Sequence, residues 1–101
     1  MCSPSHSWSC IASFAEFEAD ARALGFDEVL QRDWPPDAVI GTHVHPFSAK
    51  AVVVRGQMWL TVAGATRHLR VGDGFELDAE VPHAERYGPE GAAYWVARRS
   101  A

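Results

Sequence analysis

Cysteine is scarce and marginal in this 101-residue chain, which has only Cys2 and Cys10. A disulfide between them would close a short terminal loop and stabilise little, so a cross-linked scaffold is excluded as the basis of the fold. Cys2, His6 and Cys10 would share a helical face, but Pro4 and the intervening serines oppose a helix, and residues 1–12 are expected to form a flexible tail. Lysine is rarer still, with Lys50 alone beside eight arginines. With a net charge of −4 and no Lys/Arg cluster, the chain lacks the basic footprint of a nucleic-acid or membrane-surface binder. The first residues lack the basic start and apolar stretch of a secretory signal, and a cytoplasmic protein with free thiols is expected. Repeats and low-complexity stretches are absent too. What is present is ordinary globular material, 48% hydrophobic and 22% charged, in a length that allows one domain, here 13–101.

The first element is a helix over about Ser13 to Leu24. Ser13 is placed as N-cap with Glu16 three residues on, and Phe14, Phe17, Ala21 and Leu24 form an apolar stripe that Gly25 terminates. From Phe26 the period shortens to that of strands, punctuated by Gly and Pro. Eight strands are predicted: Asp27–Asp33, Val39–His45, Ala49–Arg55, Gln57–Val62, Thr66–Arg70, Phe75–Leu77, His83–Tyr87 and Ala92–Arg98. Gly88-Pro89-Glu90-Gly91 is expected to be a connector. So many short strands in so short a chain suggest an all-β closed barrel or jelly roll, which limits exposed edges.

His43 and His45 stand one residue apart, and His83 follows Pro82 well downstream. Side chains at i and i+2 of a strand leave from the same face, so one strand can aim both imidazoles of the pair at a point. A third imidazole from another strand completes a metal site. His68 is expected on a solvent-facing hairpin with no partner, and Arg86 on a solvated face.

Set in this order, the residues from Trp34 to Tyr94 resemble the cupin superfamily. Its first motif is matched at His43, His45 and Gly56, with Asp37 at the leading glycine position and Ala49 at the glutamate position. The second is matched at Gly72 and His83, while Asp78, Glu80 and Tyr87 replace its Pro, Gly and Asn. The resemblance implies a double-stranded β-helix, or jelly-roll barrel, with one N-terminal α-helix added. It also implies His43, His45 and His83 as ligands of a divalent metal.

With Ala49 unable to ligate, a three-histidine centre remains, suited to Zn, Fe, Ni, Cu or Co. Glu85, two residues after His83, should share the interior face as a fourth ligand or a general base, and Tyr87 should continue that face and offer a hydroxyl to a bound substrate or water. Ala49, Ala51 and Val53 predict a small apolar interior fit for a small-molecule ligand or substrate. The activities the resemblance implies are a metal-dependent dioxygenase or isomerase acting on a small polar molecule; a non-catalytic binder or sensor and a metal-free structural barrel are the alternatives. Met58, Trp59 and Leu60 make one strand apolar on both faces, so something should cover its outside; the resemblance implies a homodimer through that face, which is the expectation, with the N-terminal helix as the competing cover.

Overall fold

The structure, a computed structural model, describes residues 13–100. The cysteines, His6 and the whole of the expected tail lie outside the described residues. Helix α1 (Phe14–Ala23) is followed by β1 (Glu28–Trp34), β2 (Val39–His43), β3 (Phe47–Val62), β4 (Ala65–Arg70), β5 (Gly74–Leu77) and β6 (His83–Ser100). Among the described residues no helix is long and apolar enough to cross a membrane.

The eight predicted strands become six because two pairs are continuous. β3 runs through Gly56, and β6 runs through the expected Gly88–Gly91 connector. Both long strands bend and serve two layers. In one layer the first half of β3 pairs with β5 and with the second half of β6, which also pairs with β1. In the other, the second half of β3 pairs with β4 and with the first half of β6, which also pairs with β2. All pairings are antiparallel. Two layers sharing two bent strands make the expected jelly-roll barrel.

The bend has a visible cause. The β3/β6 register slips between Val53 and Arg55 and again between Gly56 and Met58, and Gly56 adopts φ 71°. A side chain at Gly56 would collide with the carbonyl oxygen of Gly91, itself at φ 76°. Glycine on both strands lets the backbones approach and turn from one layer into the other.

Inward positions of both layers fill one core: Ala49, Ala51 and Val53 as expected, with Met58, Leu60, Leu69, Phe75, Leu77, Tyr87, Tyr94 and Val96. The helix lies outside the barrel. Ser13 Oγ accepts from the Glu16 amide at 3.2 Å, which confirms the cap, and Phe17 and Ala21 are fully buried against Val52 and Ala97. Phe14 meets Trp95 edge-on at 5.8 Å. Leu24, expected on the apolar stripe, is 42% exposed. It is the C-cap residue and bonds the preceding carbonyls through its backbone, so its side chain leaves the stripe.

The helix therefore covers the first half of β3 and not Trp59. There the expectation that His68 has no partner is corrected, while Arg86 is exposed as expected. His68 stacks on the Trp59 ring at 4.6 Å and hydrogen-bonds Gln57 Oε1 at 2.6 Å, and the Arg86 guanidinium sits 4.1 Å from the same ring. Trp59 pairs in register with His68 on one side and Arg86 on the other, so the three side chains leave the same outer face together.

Candidate metal centre

The three histidines converge, though not by the single regular strand that their spacing suggested. β2 ends at His43, and His45 lies in the turn that follows. Ile40 is paired with Glu85 and His43 with His83, so β2 uses one residue more than β6 over the same interval. That bulge turns the His43 ring inward. The turn bearing His45 is tied down by the Glu80 amide, which donates to the His45 carbonyl at 2.7 Å. Asp37 and Glu80, which stand at motif glycine positions, adopt φ 58° and 66°, so the chain keeps the left-handed backbone without the residue that adopts it freely.

One ligand nitrogen from each of His43, His45 and His83 fits within a mutual distance of 4.8 Å. Two of the rings are pre-oriented. His43 Nδ1 donates to the Gly41 carbonyl at 2.7 Å and His83 Nδ1 to the Val81 carbonyl at 3.0 Å, leaving both Nε2 lone pairs free for a ligand. His45 stacks flat on Phe47, with centroids 4.7 Å apart. Its pKa is lowered from the usual 6.5, first by burial, then by the neighbouring His43 and His83, against a smaller opposing pull from Glu85 and with a further push from Arg98. A neutral imidazole is the form a metal needs.

Glu85 faces the interior and is 6% exposed. One carboxylate oxygen stands 3.6 Å from His43 Nε2, and the other accepts from the Tyr87 hydroxyl at 2.7 Å. Tyr87 is thus already committed to Glu85, which corrects the expectation of a hydroxyl free for substrate. Burial first, then Tyr94 and Glu85, push its pKa far upward, so it stays a donor at any ordinary pH. Trp34 stacks on the Tyr87 ring at 4.9 Å and fixes it in place.

The donor set fits a divalent transition ion. Two donors each about 2.1 Å from a tetrahedral ion stand roughly 3.4 Å apart, close to the His43–Glu85 separation. Beside the histidines is a cavity of about 30 Å³, lined by His45, His83, Glu85, Ala49, Phe47 and Arg98 among others. A hollow of about 310 Å³ at the Gly56 bend is larger, but its lining, Gly56, Gln57, Arg70, Val71, Glu90 and Gly91, brings no ligand cluster. Arg98 was not singled out by sequence. Only its place directly across the ladder from Ala49 brings it to the site.

A two-layer β-barrel with an inward cluster of three histidines that could hold a metal ion defines a jelly-roll protein. The chain belongs to the cupin family: the family model described as "Cupin domain" matches residues 31–97. No curated protein sequence matches. Among solved structures, a chain from the DMSP lyases RdDddP and RnDddQII is 26% identical, with a TM-score of 0.66 over 72% of this chain but only 38% of that one. An RmlC-like cupin from Shewanella frigidimarina NCIMB 400 is 26% identical, with a TM-score of 0.62 over 73% of this chain and 68% of that one. The cupin domain of an XRE family transcriptional regulator from Enterobacter cloacae shares the fold at 19% identity and a TM-score of 0.64, over 79% of this chain and 86% of that one.

Proposed function

We propose that this chain is a metal-dependent cupin enzyme in which His43, His45, His83 and Glu85 hold one divalent transition ion and act on a small polar molecule. The observation that carries the reading is the 3.6 Å approach of a buried carboxylate to His43 Nε2 within a three-imidazole cluster. Glu85 then supplies from β6 the negative ligand that Ala49 cannot supply from β3.

A divalent ion held there orients and polarises a bound oxygen-bearing group, which serves metal-assisted oxidation or isomerisation. The chain's own residues do the rest. The Gly41 and Val81 carbonyls hold two imidazoles in the ligating tautomer, Tyr87 holds the carboxylate rotamer, and Phe47, Ala49 and Leu77 give the cavity an apolar wall. Likeness to a DMSP lyase chain supports catalysis, although this chain spans 38% of that protein.

Elemental analysis of the purified protein tests the assignment. One ion per chain is expected, lost when all three histidines become Ala; absence of stoichiometric metal, or metal retained by that triple variant, rejects it. The second reading, a non-catalytic small-molecule sensor, is favoured by the smallness of the cavity, which admits one small group. Turnover of any candidate substrate that His83→Ala abolishes decides for the enzyme, and tight binding without turnover decides for the sensor.

A further inference from the structure

We propose that Arg98 is the specificity residue of this site and that the molecule bound there carries a carboxylate, seated between Arg98 and the metal centre over the small side chain of Ala49. The inference rests on the metal site proposed above and adds the class of substrate.

The argument begins with register. Ala49 on β3 is the direct ladder partner of Arg98 on β6, so both side chains leave the same face of the sheet. That face is the interior, where Ala49 is buried and Arg98 lines the same cavity as His45, His83 and Glu85. A methyl group opposite a long cationic side chain leaves a gap beside the guanidinium. The cavity of about 30 Å³ adjoins both and has room for one small polar group.

The charges ask for an anion. Arg98 has one ion-pair partner among the described residues, Glu28, whose carboxylate takes Nη1 at 3.0 Å while itself remaining 57% exposed. Phe47 lies 4.7 Å from the guanidinium carbon and offers only its ring face. Arg98 Nε is buried and has no hydrogen-bond partner among the described residues. An N–H withdrawn from water and left unpaired is costly, and a ligand oxygen removes that cost. A divalent ion and Arg98 beside the single interior carboxylate of Glu85 leave the pocket with a surplus of positive charge. A planar carboxylate matches a guanidinium fork in a way that a neutral amide or hydroxyl does not.

Acetate, with neutral acetamide of the same shape as control, is titrated at constant ionic strength into metal-loaded and metal-free protein and followed by the thermal unfolding midpoint. Acetate is expected to raise the midpoint of the wild-type chain and acetamide is not. Arg98→Gln should weaken the apparent acetate affinity about tenfold or more, with Arg98→Lys between the two. Ala49→Glu places a carboxylate in the gap; it should retain metal and lose the acetate response. Acetate no better than acetamide, or equal acetate affinity in folded Arg98→Gln and wild type, overturns the proposal. The metal content of the same samples judges the metal centre separately. If the protein carries no metal, that reading falls, and the metal-free titration alone decides whether Arg98 holds the anion.

Discussion

The Tyr87 hydroxyl donates to Glu85 at 2.7 Å inside the barrel, while the other oxygen of the same carboxylate faces His43 Nε2 at 3.6 Å. One buried acid is therefore held from one side by a phenol and offered on the other to the histidine cluster. The two residues are two apart on β6, so the strand's own alternation builds the pair.

Removing that donor should loosen the centre without dismantling it. Tyr87→Phe is expected to lower metal affinity about tenfold to a hundredfold, the usual effect of losing a group that orients a ligand. Competition with a chelating indicator measures it, and unchanged affinity in a folded variant argues against Glu85 as a ligand.

The helix and the metal centre should respond independently. Phe17 is fully buried on the outer face of the first layer, away from the histidines, and Phe17→Ala should cost about 3–5 kcal/mol of stability. Urea unfolding measures the loss. The variant that still folds should bind metal with the wild-type stoichiometry, and a parallel loss of metal would show that α1 supports the site.

Backbone strain separates positions that look alike in sequence. A side chain at Gly56 meets the Gly91 carbonyl at positive φ, whereas a side chain at Gly41 meets nothing within 4 Å. Gly56→Ala should destabilise the protein by about 2 kcal/mol or more, and Gly41→Ala should be neutral or slightly stabilising. Glu80, held at φ 66°, should gain about 1 kcal/mol on replacement by Gly. Chemical denaturation of the three variants side by side checks the order.

Acid should weaken the metal-free protein partly through His45. Its folded pKa lies below the ordinary 6.5, so the folded chain binds fewer protons than the unfolded one between those two values. The stability it contributes is fully present above 6.5 and is lost as pH falls through the folded value. The unfolding midpoint of metal-free protein should fall as pH drops below 6.5, and less steeply in His45→Gln. Equal slopes for the two proteins would contradict the shift.

Much of the fold was legible because its signals are local. Ser13 with Glu16 marks a helix start by a hydrogen bond within one turn, and the alternation of Ala49, Ala51 and Val53 marks an inward face by strand geometry alone. The continuity of β3 through Gly56 and of β6 through Gly88–Gly91 is not legible in the sequence, because glycine marks a turn and a bent continuous strand alike. Only the facing strand shows which it is. Leu24 kept the helical spacing, but its place at the cap was set by the carbonyls it bonds.

The sequence by itself determined which residues could be ligands, since three imidazoles and a carboxylate at strand spacing are chemistry written in side chains. It also determined that Glu85 and Tyr87 share a face. Tertiary structure decided the rest, because it depends on which strand lies beside which. The bulge in β2 brings His43 into line, the turn tied to Glu80 carries His45 past the end of the strand, and the ladder between β3 and β6 sets Arg98 across from Ala49. Residues 49 and 98 are far apart in the chain, and pairing across a barrel has no local signature from which their meeting could be read.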